Sequence, residues 1–122
     1  NDTETETISV IGKVRDKTVV LVDDLTETAG TLVNAARILR RRGAKRTIAV
    51  VSHAVLNDLG SKRLRKSNID ELITTDTVPR PSVEGVKVTT CSVAGLLGEA
   101  IKRIHTNSSV TSLFEFDGIR IG

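Results

Sequence analysis

Residues 19–31 read VVLVDDLTETAGT, and this stretch decides the fold. It opens with an unbroken aliphatic run, which is typical of a strand buried on both faces of a parallel sheet. Two carboxylates, Asp23 and Asp24, follow at the point where such a strand would leave the core. The apolar spacing of residues 32–39 then predicts an amphipathic helix. The stretch therefore predicts a strand, a short loop and a helix, which together are the building unit of an α/β fold.

The loop between this strand and helix has the composition of an anion-binding site. The first backbone N–H groups of a helix lack intrahelical partners and lie at the positive end of the helix dipole. Ala29 and Gly30 would let a ligand approach the backbone closely, and Thr28 and Thr31 would add hydroxyl donors. Because the two preceding carboxylates would repel a phosphate, they need the hydroxyls of a sugar or a magnesium ion as partners. The stretch thus predicts a ribose 5-phosphate site, and an ordinary turn capped by Asp is the alternative.

The length and composition indicate one small globular domain. The chain has 122 residues, of which 39% are hydrophobic, and no apolar run approaches the ~20 residues that cross a bilayer. The single cysteine, Cys91, permits no internal disulfide, fits a reducing, cytoplasmic setting, and is expected to be buried and inert. The chain opens at Asn1, and no core-facing pattern appears before Ile8. We therefore expect residues 1–7 to be a frayed or disordered edge of something larger.

The net charge of +3 comes largely from a basic cluster at the end of the first predicted helix and just beyond it. Cations at this position complement the helix dipole, which favours a solvated basic face over a binding surface. The chain has no tyrosine or tryptophan to stack on bases, so nucleic-acid binding is the less favoured interpretation. The cluster consists of Arg37, Arg40, Arg41, Arg42, Lys45 and Arg46.

Strand and helix patterns alternate along the chain. Predicted strands cover 8–14, 18–22, 47–52, 69–75 and 86–91, and predicted helices cover 32–42, 57–66 and 93–104, with Gly43 ending the first helix. The alternation predicts a parallel-sheet three-layer α/β sandwich over residues 8–116, followed by a tail at 117–122. His53 directly follows the strand at 47–52, so we expect it at the same carboxyl edge of the sheet as Asp23. A structural hydrogen-bonding role is favoured for it over that of a catalytic base.

The order of these features resembles the C-terminal domain of phosphoribosyl pyrophosphate (PRPP) synthetase, from about Ile8 to Phe114. The motif at 22–31 is shared with type I phosphoribosyltransferases and is moderately specific. The turn at 75–79 and the tail at 109–114 are more particular to the synthetase. The matching motifs read VDD (22–24), TAGT (28–31), RGAK (42–45), SH (52–53), IDEL (69–72), TDTVP (75–79), EAIKRIH (99–105) and SVTSLF (109–114).

PRPP synthetases transfer a pyrophosphoryl group from ATP to ribose 5-phosphate with magnesium, giving PRPP and AMP. The resemblance implies that Asp23 and Asp24 hold the ribose hydroxyls. The residues that it implies around the 5-phosphate are Glu27, Thr28, Ala29, Gly30 and Thr31. It also implies a regulatory site for phosphate or ADP at a subunit interface, in a homo-oligomer of the hexamer-of-dimers type. The residues implied for this regulatory site are Ser109, Val110, Thr111 and Phe114.

The resemblance also implies what this chain does not contain. The ATP-binding residues, most ligands of Mg²⁺ and a closing loop with Lys and Arg would lie upstream, so no catalytic or metal-binding residue is assigned here. Two residues depart from the family pattern: Glu27 stands where Asp is usual, and Lys13 replaces a usual Asp. These departures keep open a non-catalytic regulatory subunit of the same fold, although such subunits tend to lose the loop that is intact here. A nucleobase phosphoribosyltransferase is the third hypothesis, and it would need a base-recognition segment that this sequence does not supply.

Overall fold

The computed structural model describes residues 10–116 and 119–120. These residues form two compact units, and the boundary lies between Cys91 and Ser92. The expectations for residues 1–7 lie outside the described residues, as does most of the predicted tail. A single domain over residues 8–116 stays a prediction.

The first unit contains a parallel four-stranded sheet and two helices. The strands lie in the order β1–β2–β3–β4, and each pairs in parallel with its neighbour. This arrangement confirms the predicted parallel α/β fold. The elements are β1 (Thr18–Thr26), α1 (Gly30–Arg41), β2 (Arg46–Ala54), α2 (Asp58–Arg65), β3 (Glu71–Thr75) and β4 (Lys87–Cys91).

The first two strands extend further toward the loops than their aliphatic runs predict. β1 continues to Thr26 because Leu25 and Thr26 remain paired with His53 and Ala54 of β2. His53 therefore lies within β2 rather than after it. The carboxyl ends of both strands do lie at one edge of the sheet, as predicted.

The predicted strand at 8–14 is wrong over its described part, since residues 10–14 belong to no strand. Gly12 has a φ of 94°, which interrupts an extended chain. The carbonyl of Val10 accepts a hydrogen bond from Arg42 Nη1 at 3.2 Å. This segment is thus bound to the end of the first helix by a side chain.

The hydrophobic core lies between the sheet and the two helices. α1 contributes Leu32 and Ala36, and α2 contributes Leu64, all of which are buried. They form one cluster with Ala49 and Val51 of β2, and the small alanine side chains let α1 approach the sheet closely. Both helices therefore cover the same face of the sheet. The described part of this unit has two layers, and the third layer of the predicted sandwich stays a prediction.

Two expectations of burial are wrong. β1 is buried on one face only, since its alternate residues Val20 and Val22 are 52% and 78% exposed. Cys91 is an exposed free thiol. It ends β4, which lies at the edge of the sheet order and pairs only with β3 among the described strands. An aliphatic run predicts a strand, but the burial of each face depends on what packs against it.

A buried carboxylate joins three strands of the sheet. Glu71 is 6% exposed, and it binds Arg46 Nη2 at 2.6 Å and Lys87 Nζ at 2.9 Å. The Thr89 hydroxyl donates to it at 2.8 Å. Lys87 and then Thr89 contribute most to lowering the pKa of Glu71 below its ordinary value of 4.5, while burial opposes the shift. Glu71 is thus held as a charged group within the sheet.

The first helix ends at the predicted glycine. Gly43 has a φ of 91°, and its N–H donates to the Arg40 carbonyl at 3.0 Å. The Ala44 N–H donates to the Leu39 carbonyl at 3.0 Å. This pair of bonds is a Schellman motif, which satisfies two of the last helical carbonyls.

The second unit contains α3 (Ala94–His105), a 3-10 turn at Thr111–Phe114, and a short antiparallel pair, β5 (Glu115–Phe116) and β6 (Ile119–Arg120). Arg103 of α3 organises the turn: its Nε donates to Glu99 at 2.8 Å, and its Nη1 donates to the Ser109 carbonyl at 3.1 Å. Across the described parts of both units, we find no helix that is long and apolar enough to span a membrane.

Candidate functional site

Asp23 and Asp24 lie inside β1, near its carboxyl end, rather than after it. Successive strand residues point to opposite faces, so Asp23 is half-buried on the helix side and Asp24 is exposed. Asp23 Oδ1 accepts the Asp24 N–H at 3.0 Å, and Asp24 Oδ1 accepts the Leu25 N–H at 2.8 Å. The second oxygen of each carboxylate has no hydrogen-bond partner among the described residues. Each side chain can therefore accept a hydrogen bond from a ligand.

The loop after β1 turns sharply at Ala29. This residue has φ 54° and ψ 16°, a left-handed conformation, and it precedes the first residue of α1. The left-handed conformation is thus adopted by Ala29 and not by Gly30, whose φ is not positive. A left-handed residue followed by a helical one turns successive N–H groups toward the same point, which is the geometry of an anion-binding nest.

The first turn of α1 offers free backbone donors at this nest. The first helical bond runs from the Val33 N–H to the Ala29 carbonyl at 3.0 Å. The N–H groups of Gly30, Thr31 and Leu32 precede that bond and have no partner within the helix. α1 begins without a side-chain cap and without an acidic residue in its first turn. Its N-terminus can therefore receive an anion from outside.

The second helix holds the loop, through contacts that the sequence pattern does not predict. The Asn57 N–H donates to the Glu27 carbonyl at 3.2 Å, and Asn57 Nδ2 donates to the Glu27 carboxylate at 3.3 Å. Arg63 Nη1 donates to the Thr28 carbonyl at 3.2 Å. Gly60 lies between Asn57 and Arg63, and a Cβ there would collide with the Glu27 carbonyl oxygen.

These contacts give α2 a second role beside burying Leu64. Asn57, Gly60 and Arg63 are spaced three residues apart, and this spacing places them on one face of the helix. The spacing is visible in the sequence, but the surface that this face meets is not. The sequence pattern therefore predicts the helix and misses its contact with the loop.

A groove of about 300 Å³ opens beside the loop. Two cations, Arg37 and Arg63, line it together with Gly30, Val33 and Asn34, and none of these lining residues carries a negative charge. Arg37 Nη2 donates to Asn34 Oδ1 at 2.6 Å. The groove therefore adds positive potential next to the nest, which favours an anion there.

His53 takes part in a polar network at the ends of β2 and β3. Its Nδ1 lies 2.8 Å from the Thr77 hydroxyl. Thr77 Oγ1 lies 2.9 Å from Thr75 Oγ1, and the Thr75 hydroxyl donates to the Ser52 carbonyl at 2.7 Å. These bonds agree with the predicted structural role of His53.

The residues predicted for a regulatory site lie in the second unit. The Thr111 N–H donates to Ser109 Oγ at 3.2 Å, and the Leu113 N–H donates to the Val110 carbonyl at 2.9 Å. Phe114 is 57% exposed. The 3-10 turn and the two residues before it thus contain all four predicted residues, and their regulatory role stays a prediction.

The described residues contain no group of three or more His, Cys, Asp or Glu side chains placed to hold a metal ion. Asp23 and Asp24 alternate across the strand, and each has one oxygen bound to a backbone N–H. A magnesium ion usually has near-ideal octahedral geometry with several oxygen ligands. These residues alone therefore do not fit a complete magnesium site.

Comparisons with known proteins point to one family. Residues 2–115 match the family described as phosphoribosyl synthetase-associated domain. The chain is 44% identical over 112 residues to a ribose-phosphate pyrophosphokinase of Campylobacter jejuni, covering 91% of this chain and 36% of that protein. It is 45% identical over 108 residues to one of Porphyromonas gingivalis, covering 88% of this chain and 34% of that protein.

The fold has a counterpart among solved structures. The crystal structure of phosphoribosylpyrophosphate synthetase from Mycobacterium smegmatis matches with a TM-score of 0.73 and 35% identity. The match covers 80% of this chain and 33% of that one. The chain thus spans about a third of the length of the relatives that it matches.

Proposed function

Because the chain belongs to the family of phosphoribosyl synthetase-associated domains, we propose that it is the ribose 5-phosphate-binding part of a ribose-phosphate pyrophosphokinase. Such an enzyme transfers pyrophosphate from ATP to ribose 5-phosphate and releases PRPP and AMP. The names of the two bacterial relatives support this activity. Since the chain spans about a third of their length, the activity is proposed for the longer protein. The assignment to its C-terminal domain stays a prediction.

The observation that carries the proposal is the backbone conformation at Ala29. Its left-handed φ of 54°, followed by the helical Gly30, directs unpaired N–H groups toward one point. A phosphate at this point would accept bonds from these N–H groups and from the hydroxyls of Thr28 and Thr31. Bonds to a charged phosphate are roughly twice as strong as neutral ones. The phosphate therefore supplies most of the affinity.

The carboxylates of Asp23 and Asp24 define the sugar end of the proposed site. Each carboxylate has one oxygen without a partner among the described residues, and ribose hydroxyls are suitable donors to such oxygens. In this arrangement the sugar lies at Asp23 and Asp24, and the phosphate lies at the loop 28–31. The role of these residues is to bind and orient ribose 5-phosphate. Orienting a reactant lowers the barrier to phosphoryl transfer.

The contacts of Glu27 differ from those that the resemblance implies, which place it around the 5-phosphate. Its carboxylate accepts from Asn57 Nδ2 at 3.3 Å, so its side chain is directed toward α2. We propose that it shapes the loop rather than wrapping the phosphate. The departures from the family pattern at Glu27 and Lys13 support, as the second candidate, a non-catalytic regulatory subunit of the same fold. An assay of AMP release by the full-length protein separates the two.

The remaining partners are proposals for the longer protein. ATP and most ligands of Mg²⁺ would come from outside this chain, and a bound Mg²⁺ would neutralise phosphate charge. Phosphate or ADP would act as regulators at Ser109, Val110, Thr111 and Phe114, in a homo-oligomer.

The test is a titration of this chain with ribose 5-phosphate, ribose and inorganic phosphate, followed by backbone amide NMR and calorimetry. We expect ribose 5-phosphate to bind more tightly than either fragment and to shift the amides of residues 28–31 most. Shifts that spare these residues, or equal affinity for ribose and ribose 5-phosphate, would refute the site.

A further inference from the structure

We infer that α2 positions the ribose 5-phosphate loop through Asn57 and Arg63, which raise the affinity for the ligand by fixing the backbone of the loop. This inference rests on the proposed function. Three hydrogen bonds join the helix to the loop: two from Asn57 to Glu27, and one from Arg63 to the Thr28 carbonyl.

The loop needs such support because its own conformation is unfavourable. Ala29 has a Cβ and a φ of 54°, a region that non-glycine residues rarely adopt. Strained backbone of this kind persists only where the surroundings determine it. On one side the Ala29 methyl is buried in the core cluster. On the other side Glu27 and Thr28 are exposed, so the bonds to α2 are the contacts that fix this half of the loop.

The two bound carbonyls belong to the peptides that lead into the nest. Each peptide unit is planar, so fixing the Glu27 carbonyl fixes the Thr28 N–H, and fixing the Thr28 carbonyl fixes the Ala29 N–H. Asn57 and Arg63 bind these two carbonyls. They therefore orient the Thr28 and Ala29 N–H groups, which lead into the free donors of the first turn of α1.

Asn57 allows this role to be separated from helix stability. Its Oδ1 accepts the Gly60 N–H at 2.8 Å and caps α2, whereas its Nδ2 donates to the Glu27 carboxylate. Asn57→Asp retains the cap, because Asp and Asn are equally good there. It replaces the donor by a carboxylate facing Glu27, so it disturbs the loop without weakening the helix.

Arg63 and Arg65 form a matched pair on the same helix. Arg63 binds the loop, whereas Arg65 Nη1 binds Glu84 at 2.9 Å. Arg63→Ala and Arg65→Ala remove the same charge and the same side chain from α2. Arg63→Ala removes a contact with the loop and also a cation that lines the groove beside Gly30, so its affinity is interpreted together with the ligand-free measurement below.

The experiment measures ribose 5-phosphate affinity by calorimetry and Tm for Asn57→Asp, Arg63→Ala and Arg65→Ala. We expect the first two to bind about ten- to a hundredfold more weakly, the range for loss of a positioning group, with Tm nearly unchanged. Arg65→Ala should bind as the unaltered chain does. In the background of Glu27→Gln, which removes the repulsion, Asn57→Asp should lose less affinity than it does alone. Unchanged affinity in Asn57→Asp and Arg63→Ala would overturn the inference.

Backbone order parameters of the amides at 28–31, from NMR relaxation without ligand, test the positioning by itself. We expect lower order parameters in Asn57→Asp and Arg63→Ala, and no change in Arg65→Ala. Equal order parameters in all three variants would overturn the inference. If the unaltered chain bound no ribose 5-phosphate, the proposed function would fail, while this measurement would still decide whether α2 positions the loop.

Discussion

Gly60 is the residue whose substitution tests the packing of α2 against the loop most directly. A Cβ at Gly60 would lie well under 3.0 Å from the Glu27 carbonyl oxygen, and 3.1 Å from Leu56 Cδ2. Because the nearer atom belongs to the backbone, the loop or the helix must move, by on the order of 1 Å. We therefore expect Gly60→Ala to weaken the bonds between α2 and the loop.

Two contributions to the free energy of unfolding oppose each other in this variant. Alanine is better than glycine in a helix by up to about 1 kcal/mol, whereas overpacking costs about 1–3 kcal/mol. We expect a net loss of stability of up to about 2 kcal/mol. A displacement of about 1 Å in a binding loop can cost about a hundredfold, so the loss of ribose 5-phosphate affinity should be the larger effect.

Gly98→Ala is the matched control. Gly98 lies inside α3, and a Cβ there would meet nothing within 4 Å. This variant should be as stable as the unaltered chain or more stable, by up to about 1 kcal/mol, with the same affinity. Urea unfolding and calorimetric titration measure both quantities. The packing argument is refuted if Gly60→Ala is as stable and binds as tightly as Gly98→Ala.

The site and the sheet give four further predictions. Gly30→Val should abolish binding of ribose 5-phosphate while the fold survives, since a Cβ at Gly30 meets only side-chain atoms, at 3.2 and 3.8 Å; unchanged affinity by calorimetry would remove Gly30 from the site. Asp24→Asn keeps an acceptor for the Leu25 N–H and removes one of two adjacent charges, so Tm should stay level or rise while binding weakens; a large fall in Tm would mark Asp24 as structural. Because Lys87 contributes most to lowering the pKa of Glu71 below 4.5, the stabilisation from this carboxylate is present above about pH 4.5 and is lost as the pH falls through the lowered pKa. Glu71→Gln should therefore lower Tm most near neutral pH and least in acid; a Tm difference that does not shrink on acidification would contradict this. Residues 1–122 alone should release no AMP from ATP and ribose 5-phosphate, and turnover by this chain would refute the proposed division of labour.

The fold could be predicted from local pattern because its elements alternate with clear periodicity. The two helices and the four strands of the first unit are all predicted, because apolar patterns and capping signals are read within a few residues. The strand boundaries could not be predicted in the same way. β1 includes Leu25 and Thr26 because they pair with β2, and such pairing is a tertiary contact. Similarly, Gly12 has a φ of 94°, and residues 10–14 form no strand, although an alternating pattern predicts one over 8–14.

The chemistry of the candidate site was visible in the sequence, but its construction was not. The loop composition identifies residues 28–31 as a candidate for phosphate, since small and hydroxyl residues before a helix are typical of anion-binding loops. The left-handed conformation occurs at Ala29, however, although the neighbouring Gly30 is the residue type that adopts it most readily. A residue type reports which conformations are allowed, and only the surrounding contacts decide which one is adopted.

The position of Ala29 explains how a strained loop could bind a small ligand well. Its methyl group is buried with Leu32 and Ala36 in the core, and the peptides before it are bound by Asn57 and Arg63. A flexible loop would have to be ordered when the ligand binds, and the ordering would reduce the affinity. Here the stability of the core and of α2 orders the loop in advance. If ribose 5-phosphate is the ligand, its phosphate meets donors that already point toward it. Glu27, which replaces the usual Asp, helps to order the loop because its longer side chain reaches Asn57.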